Sequence, residues 1–233
     1  MRITVATGTR ADWGLLSPLA RALDKLPGFD VSILATNMHL LQQFGNTLSE
    51  IEADGFDVAA RVPMPGGDTP ADRAVAMGVC LEGSARELAR LQPDPLHNLG
   101  DRYEMLAIAS AATMLGIPIA HLHGGELTYG AIDDNIRHAI SKLSALHFTS
   151  TEKARQRLIA MGEQPSRVIN TGAIGVWNFC NFTPMPKTEL EASLGISLDR
   201  PTLLVTFHPA TLDPADPTLR CRAMLQALDS FAD

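Results

Sequence analysis

The chain has 233 residues, of which 45% are hydrophobic and 19% are charged, and its net charge is −7. This composition is typical of a globular protein with one large core or two modest ones, and it argues against a disordered chain. An acidic balance without a basic stripe argues against nucleic-acid binding. No apolar run reaches the length of about 18 residues that a membrane-spanning helix needs.

The N-terminus and the cysteines indicate the cellular compartment. Residues 1–5 enter a strand-like run directly, without the apolar region of a signal peptide. Cys80, Cys180 and Cys221 are widely spaced and form no C-x-x-C pair, so we expect neither a disulfide framework nor a zinc site. A reducing, cytoplasmic environment fits this pattern.

Short apolar runs alternate with longer segments whose apolar residues recur at helical spacing. This alternation is typical of a parallel sheet covered by helices, and we predict a doubly wound, Rossmann-like α/β fold. The predicted strands are residues 2–7, 30–36, 56–62, 93–101, 117–122, 146–149 and 168–172. The predicted helices are residues 15–26, 39–55, 71–91, 103–115, 133–143 and 152–161.

The predicted elements suggest a division of the chain after residue 175. Residues 1–175 are predicted to form a complete domain, and residues 176–200, where Asn and Pro cluster, a linker that includes a short helix at 189–194. Residues 201–233 would begin a second Rossmann-like domain with a strand at 202–207 and a helix at 219–231. Because one βα unit cannot bury its apolar face, we expect a fragment, or a tail that packs on the first domain or a partner.

Arg10 follows the first predicted strand in the sequence Gly8-Thr9-Arg10. Ligands of parallel sheets bind outside the carboxyl ends of the strands. A glycine at this turn lets backbone N–H groups approach a phosphate, and Arg10 could bind its oxygens with two donors. The alternative, a plain βα turn with a surface arginine, is favoured when this motif is taken alone, and G-x-G-x-x-G is absent.

Two further strand ends carry charged side chains. Asp101 and Arg102 pair a carboxylate with a guanidinium after the strand at 93–101, where a helix cap with a surface ion pair is the alternative. His208 follows the strand at 202–207 and could contact a phosphate, although a lone histidine there is more often structural.

The stretch after the strand at 117–122 is rich in functional groups. His121 and His123 would share one strand face as a metal pair does, but the stretch supplies too few further ligands, so we expect no metal. Glycines precede Glu126 and permit close backbone approach. Asp133 and Asp134 open the next helix, where acids favour the helix dipole and could also transfer protons beside Glu126.

Taken together, these motifs resemble the hydrolysing UDP-N-acetylglucosamine 2-epimerase family. The resemblance rests on residues 8–19 (GTRADWGLLSPL), 99–106 (LGDRYEML) and 121–143 (HLHGGELTYGAIDDNIRHAISKL). It continues through residues 147–152, 170–173 and 207–211 and covers essentially the whole chain. The loop at residues 11–14 resembles the hydrolysing branch more than the non-hydrolysing one. Residues 95, 97 and 98 depart from it, because the family has a smooth aliphatic run there.

The resemblance implies two Rossmann-like domains that face a cleft, as in GT-B glycosyltransferases, with most of the second, UDP-binding domain absent from this chain. It implies elimination of UDP from UDP-N-acetylglucosamine and addition of water, which releases N-acetylmannosamine for sialic-acid-type sugars. No metal or redox cofactor is required, and a homodimer or higher homo-oligomer is implied. The implied catalytic residues are Asp101, Glu126, Asp133 and Asp134. The implied substrate and UDP contacts are Arg10, Asp12, Arg102, Arg137 and His208.

Several alternatives stay open. The sequence does not distinguish the catalytic base from the acid, and a diacetamido sugar would undergo the same chemistry. A GT-B glycosyltransferase would share the fold and the donor. A module that binds a UDP-sugar without turnover would explain a second domain of which only the beginning is present.

Overall fold

The computed structural model describes residues 1–67, 69–209 and 216–231. These residues form a seven-stranded sheet in the order β3-β2-β1-β4-β5-β6-β7, and every neighbouring pair is parallel. The prediction of a doubly wound, Rossmann-like sheet is therefore confirmed. The strands are β1 (Arg2–Thr7), β2 (Asp30–Thr36), β3 (Val58–Val62), β4 (Leu96–Leu99), β5 (Ile119–Leu122), β6 (Leu146–Thr149) and β7 (Val168–Asn170).

Helices cover both faces of this sheet, so neighbouring residues of one strand enter different cores. Leu34 packs with the helices that begin at residues 70, 103 and 133, whereas Ile33 packs with those that begin at residues 10 and 48. This alternation explains why the central strands are apolar on both faces. The helices are α1 (Arg10–Asp24), α2 (Leu48–Ala53), α3 (Pro70–Leu91), α4 (Tyr103–Met114), α5 (Asp133–Leu143), α6 (Glu152–Ala160), α7 (Ile174–Cys180), α8 (Lys187–Leu194) and α9 (Pro217–Asp229).

The first two predicted helices have different bounds in the structure. Helix α1 begins five residues before the predicted start, because the Thr9 side chain accepts a hydrogen bond from the Asp12 amide at 3.2 Å and caps it. The predicted helix at 39–55 is correct only for Leu48–Ala53, which form α2. Two 3-10 turns precede α2, and His39 is buried between the hydroxyls of Thr7 at 2.9 Å and Thr47 at 2.7 Å.

Strand β4 lies in the middle of the sheet although its sequence departs from an aliphatic run. Pro95 precedes the strand, and its carbonyl accepts from the Thr4 amide at 3.2 Å. Asn98 is buried and donates to the Met105 carbonyl at 3.0 Å. Burial lowers the pKa of His97 to about 4, so this side chain is neutral near pH 7. The polar residues are thus accommodated as uncharged groups next to Asp101.

The chain divides into two compact units. The first comprises Met1–Thr128 and Asp133–Phe179, and the second comprises Tyr129–Ile132 and Cys180–Asp233. Residues 174–180, which include the predicted start of the linker, form α7 instead. The proposed extent of the two domains, 1–175 and 201–233 with a linker at 176–200, stays a prediction.

The strand predicted at 202–207 is wrong. Residues 201–209 have no regular secondary structure, and Leu204 in this segment is 97% exposed. An extended segment becomes a strand only when a neighbour pairs with its backbone, and apolar composition alone does not supply one. Residues 210 and 211, the end of the last motif, lie outside the described residues. Among the helices described, none is both long and apolar enough to cross a membrane.

Candidate functional site

The candidate site lies at the carboxyl ends of the strands, as the topology of a parallel sheet requires. The loops after β1, β2, β4, β5 and β6 each supply a polar side chain to this edge of the first unit. Three groups of contacting side chains result, and each is centred on one charged residue: Arg137, Glu126 or Arg102.

The first group surrounds Arg137 on α5, whose side chain is only 5% exposed. Arg137 forms ion pairs with Asp101 and, at 3.4 Å, with Asp134. It also donates to the Thr128 hydroxyl at 2.9 Å, and the Thr128 amide donates to Asp134 at 3.0 Å. The structure therefore brings two predicted catalytic carboxylates together on one buried guanidinium. We call these four residues the Arg137 cluster.

Burial lowers the pKa of Arg137, and the neighbouring Arg157 lowers it further. Two carboxylates within ion-pair distance offset that cost, because a buried charge needs a partner of opposite sign. Asp101 and Asp134 remain about one quarter exposed. The cation is thus enclosed, whereas the carboxylates keep a face toward solvent.

The second group surrounds Glu126. Its carboxylate accepts a hydrogen bond from the Ser150 hydroxyl and lies 3.7 Å from His123 Nδ1. His123 Nε2 accepts from the Ile174 amide at 3.3 Å, so in the neutral ring the proton is on Nδ1, facing Glu126. This carboxylate has its own hydrogen-bond partners, separate from those of Arg137.

The glycines before Glu126 are required by close approach. A side chain at Gly125 would place a Cβ 2.4 Å from the Ala154 carbonyl, and the backbone there is left-handed, with φ of +79°. Arg157 donates to the Gly125 carbonyl, which ties the loop to α6. The prediction that this glycine pair permits close approach of the backbone agrees with this geometry.

His121 lies next to the Arg137 cluster and contacts the residue before Asp101. The ring is fully buried, which lowers its pKa to about 4, and it is therefore neutral near pH 7. Nε2 lies 2.7 Å from the Gly100 carbonyl and must donate to it, so Nδ1 accepts from the Ser141 hydroxyl at 3.1 Å. A Cβ on Gly124 would lie 2.8 Å from Nδ1. His121 therefore joins the loop that carries Asp101 to helix α5.

The two histidines that resemble a metal pair have different roles. Strand β5 ends at Leu122, and His123 lies beyond it in the left-handed region with φ of +62°, so the alternation within a strand does not extend to it. Among the described residues, no three His, Cys, Asp or Glu side chains are arranged to hold a metal ion.

The third group surrounds Arg102. Its Nε donates to Glu104 at 2.5 Å, and Asn37 donates to the same carboxylate oxygen at 2.9 Å. Burial raises the pKa of the nearby Asp12, where Arg102 lowers it and Glu104 raises it. Arg102 lines a cavity of about 290 Å³. The residues that line this cavity are Thr9, Arg10, Ala11, Met38, Phe44, Thr47 and Arg102.

The remaining predicted residues are less tightly held. Arg10 is 76% exposed and forms a 3.4 Å ion pair with Glu50 at the rim of the same cavity. Asp133 is half-buried at the start of α5. His208 is exposed and belongs to the second unit.

Sequence reasoning missed several residues of the site. Four residues complete the three groups but were not predicted as site residues: Glu104, Asn37, Thr128 and Ser150. All but Asn37 lie within the motifs that carry the resemblance. Glu104 stands in the first turn of a helix, where an acid is common for reasons of helix stability alone. What distinguishes Glu104 is that it is completely buried, and this burial follows from tertiary packing and not from the local sequence.

Comparison with known proteins places this geometry in context. A family model described as UDP-N-acetylglucosamine 2-epimerase matches residues 21–233. A "GDP/UDP-N,N'-diacetylbacillosamine 2-epimerase (hydrolyzing)" of Campylobacter jejuni is 37% identical over 99% of this chain and 60% of its own length. A "UDP-N,N'-diacetylbacillosamine 2-epimerase (hydrolyzing)" of Legionella pneumophila is 37% identical over 97% of this chain and 60% of its own length. The chain thus spans about 60% of these relatives.

A solved structure shares the fold. The UDP-GlcNAc 2-epimerase from Neisseria meningitidis, bound to UDP-GlcNAc, superposes with a TM-score of 0.70 at 19% identity. The match covers 84% of this chain and 53% of that one. At this identity the likeness concerns the arrangement of the backbone.

Proposed function

The chain belongs to the UDP-N-acetylglucosamine 2-epimerase family, and from this membership we propose that it carries the catalytic loops of a hydrolysing 2-epimerase. The reaction converts UDP-N-acetylglucosamine and water into N-acetylmannosamine and UDP. The observation that supports it most directly is the convergence of Asp101 and Asp134 on the buried Arg137. The proposal extends to a cytoplasmic homodimer or higher homo-oligomer that supplies sialic-acid-type sugars.

The first step of the proposed reaction is elimination. The proton at C2 of the sugar is not acidic, so its removal must accompany departure of UDP from C1. A carboxylate takes the C2 proton, the electrons of the C2–H bond form a C1=C2 double bond, and the C1–O bond breaks with its electron pair on the diphosphate. Cations must stabilise the negative charge that develops on the leaving group. Arg10 and Arg102, which line one cavity, are proposed for this role. His208 is proposed from the sequence motif alone as a further UDP contact.

The second step is addition of water. Water oxygen bonds to C1 and gives one proton to a basic group, while an acid delivers a proton to C2 on the face opposite to the one that lost it. Two acid/base groups on different sides of the sugar are therefore needed. We assign one role to Asp101 and Asp134 in the Arg137 cluster and the other to Glu126 with His123 and Ser150. Asp133, at the start of the same helix as Arg137, stays proposed as a catalytic residue beside them.

A second candidate substrate is a UDP-linked diacetamido sugar. The Campylobacter jejuni and Legionella pneumophila relatives are named as hydrolysing N,N'-diacetylbacillosamine 2-epimerases at 37% identity. The same carboxylates and arginines would act, since the additional acetamido group does not take part at C1 or C2.

An NMR assay in heavy water tests the proposal. The chain is incubated with each UDP-sugar, and we expect free sugar with deuterium at C2, together with UDP. Release of a UDP-sugar epimer without free sugar would indicate a non-hydrolysing enzyme. Transfer to an added acceptor with C2 unchanged would indicate a GT-B glycosyltransferase.

A thermal-shift titration with UDP tests the non-catalytic alternative, since a ligand that binds the native state raises its stability. Stabilisation by UDP without turnover of either sugar would identify a binding module. We propose that residues 1–175 hold the catalytic loops and residues 201–233 begin the UDP-binding domain, so substitutions of the catalytic carboxylates in the first range should reduce turnover more than UDP affinity.

A further inference from the structure

Glu104 is a fully buried carboxylate that the proposed reaction does not use directly. It lies in the first turn of α4 and joins the loops that follow three strands. One of its oxygens accepts from Arg102 Nε at 2.5 Å and from Asn37 Nδ2 at 2.9 Å. The loops after β2 and β4 are thus held together through a single side chain.

The loop after β1 is shaped around the same carboxylate. A Cβ on Gly8, the residue after β1, would lie 2.6 Å from Glu104 Oε1, so a side chain there would have to displace the carboxylate from its present position. Asn37 adopts the left-handed region, with φ of +48°, where it donates to Glu104. A glycine in close approach and a left-handed asparagine therefore both lie against one acidic residue.

Burying a carboxylate is costly, and stability does not account for its presence. Glu104 Oε2 is buried and has no hydrogen-bond partner among the described residues. An apolar residue of similar volume would avoid this penalty. The arrangement is better explained by what Glu104 does to Arg102.

Arg102 is oriented by this contact. In the described part of the chain, the hydrogen bonds of its side chain run through Nε alone. Because the guanidinium is planar, a fixed Nε determines where both terminal nitrogens point. The side chain is 32% exposed and lines the cavity of about 290 Å³ with Arg10. Two pairs of N–H donors are therefore available for an anion in that cavity.

We propose that Glu104 is a positioning residue that orients Arg102 to bind two oxygens of a diphosphate in this cavity. Two parallel hydrogen bonds from one guanidinium bind an anion more strongly than a single one, and they require a fixed orientation of the guanidinium. The identification of the anion as the diphosphate of a nucleotide sugar rests on the proposed function. The orientation of Arg102 by Glu104 does not.

The first test reads Arg102 directly by NMR of its Nε–H group. We expect this proton to exchange with solvent more slowly than the Nε protons of exposed arginines, and Glu104→Gln should remove that protection. Gly8→Ala, which pushes the carboxylate from the opposite side, should do the same. Exchange at the rate of an exposed arginine in the unaltered chain would overturn the proposal.

The second test measures binding of inorganic pyrophosphate by calorimetry. Glu104→Gln should raise the Kd about tenfold through loss of a charge-assisted contact. The same substitution in an Arg102→Ala background should have no further effect, because the two residues act as one unit. Glu82→Gln, which breaks an exposed pair with Arg86 on α3, is the matched control and should leave the Kd unchanged.

The outcomes separate this inference from the proposed function. Equal and additive weakening by Glu104→Gln with and without Arg102 would overturn the positioning role, as would absence of pyrophosphate binding. If the coupling is found but neither UDP-sugar is turned over, the positioning role stands and the proposed function fails. If turnover is found without coupling, the reverse holds.

Discussion

The Arg137 cluster and the Arg102–Glu104 pair both join arginine to carboxylates, but the arginine is the buried partner in the first and the carboxylate is the buried partner in the second. Arg137 is 5% exposed, while its partners Asp101 and Asp134 are about one quarter exposed. Glu104 is 0% exposed, while its partner Arg102 is 32% exposed. In each case the enclosed charge orients the open one. The comparison indicates that the first cluster presents carboxylates to a ligand, and the second presents a cation.

The strongest test of this contrast is Asp101→Asn. The substitution keeps the shape but removes the group that we propose for proton transfer, so kcat should fall about a thousandfold with little change in the affinity for UDP. Steady-state kinetics measure this effect. Asp57→Asn, at an exposed position before β3, is the control. A loss of UDP affinity with unchanged kcat would assign Asp101 to binding instead.

Arg137→Met should have the next largest effect, and it concerns stability. Removing the enclosed cation leaves Asp101 and Asp134 facing one another, so the free energy of unfolding should fall by about 3 kcal/mol. Urea denaturation measures it. Arg86→Met, at an exposed ion pair, should change it by less than about 0.5 kcal/mol. Equal effects of the two substitutions would show that Arg137 is not an enclosed charge in solution.

His121 and His97 test how much hydrogen-bond partners contribute to the stability of a buried imidazole. Both nitrogens of His121 are hydrogen-bonded, whereas buried His97 Nδ1 has no partner among the described residues. His121→Leu should therefore cost about 2 kcal/mol of stability at pH 7, and His97→Leu should cost little or be stabilising. Equal losses, measured by urea denaturation, would contradict this reasoning.

The same histidines predict acid sensitivity. The pKa values of His39, His97 and His121 are lowered to about 4 from 6.5, so the unfolded chain binds more protons between these values. Stability should be constant above pH 6.5 and fall as the pH drops toward 4. His97→Leu should reduce that pH slope by about one proton. An unchanged slope in denaturation curves from pH 4.5 to 7 would show that His97 is not held neutral.

The smallest stability effect is expected at Arg10. Its exposed ion pair with Glu50 should contribute less than about 0.5 kcal/mol, so Arg10→Ala should leave the unfolding curve nearly unchanged. Pyrophosphate binding should nevertheless weaken, since Arg10 lines the cavity with Arg102. A large loss of stability would mean that Arg10 is structural.

Prediction from sequence succeeded where the signal is local. The strands 2–7, 30–36 and 146–149 have the predicted bounds, because apolar runs bordered by turns report burial on both faces of a sheet. It failed over the first part of 39–55 and at 202–207. In the first case, His39 forms buried hydrogen bonds in a 3-10 turn where the helix was predicted to begin. In the second, the segment has no pairing partner in the described chain.

By itself, the sequence determined the order of strands and helices and the set of charged residues at the strand ends. It also pointed to the family, through motifs that span most of the chain. Only the tertiary structure decided which charged side chains form ion pairs. It buries Arg137 more deeply than Asp101, and it places the buried Glu104 against Arg102. The physical reason is that burial and ion pairing depend on contacts between loops that are distant in sequence, and a local sequence pattern does not determine such contacts.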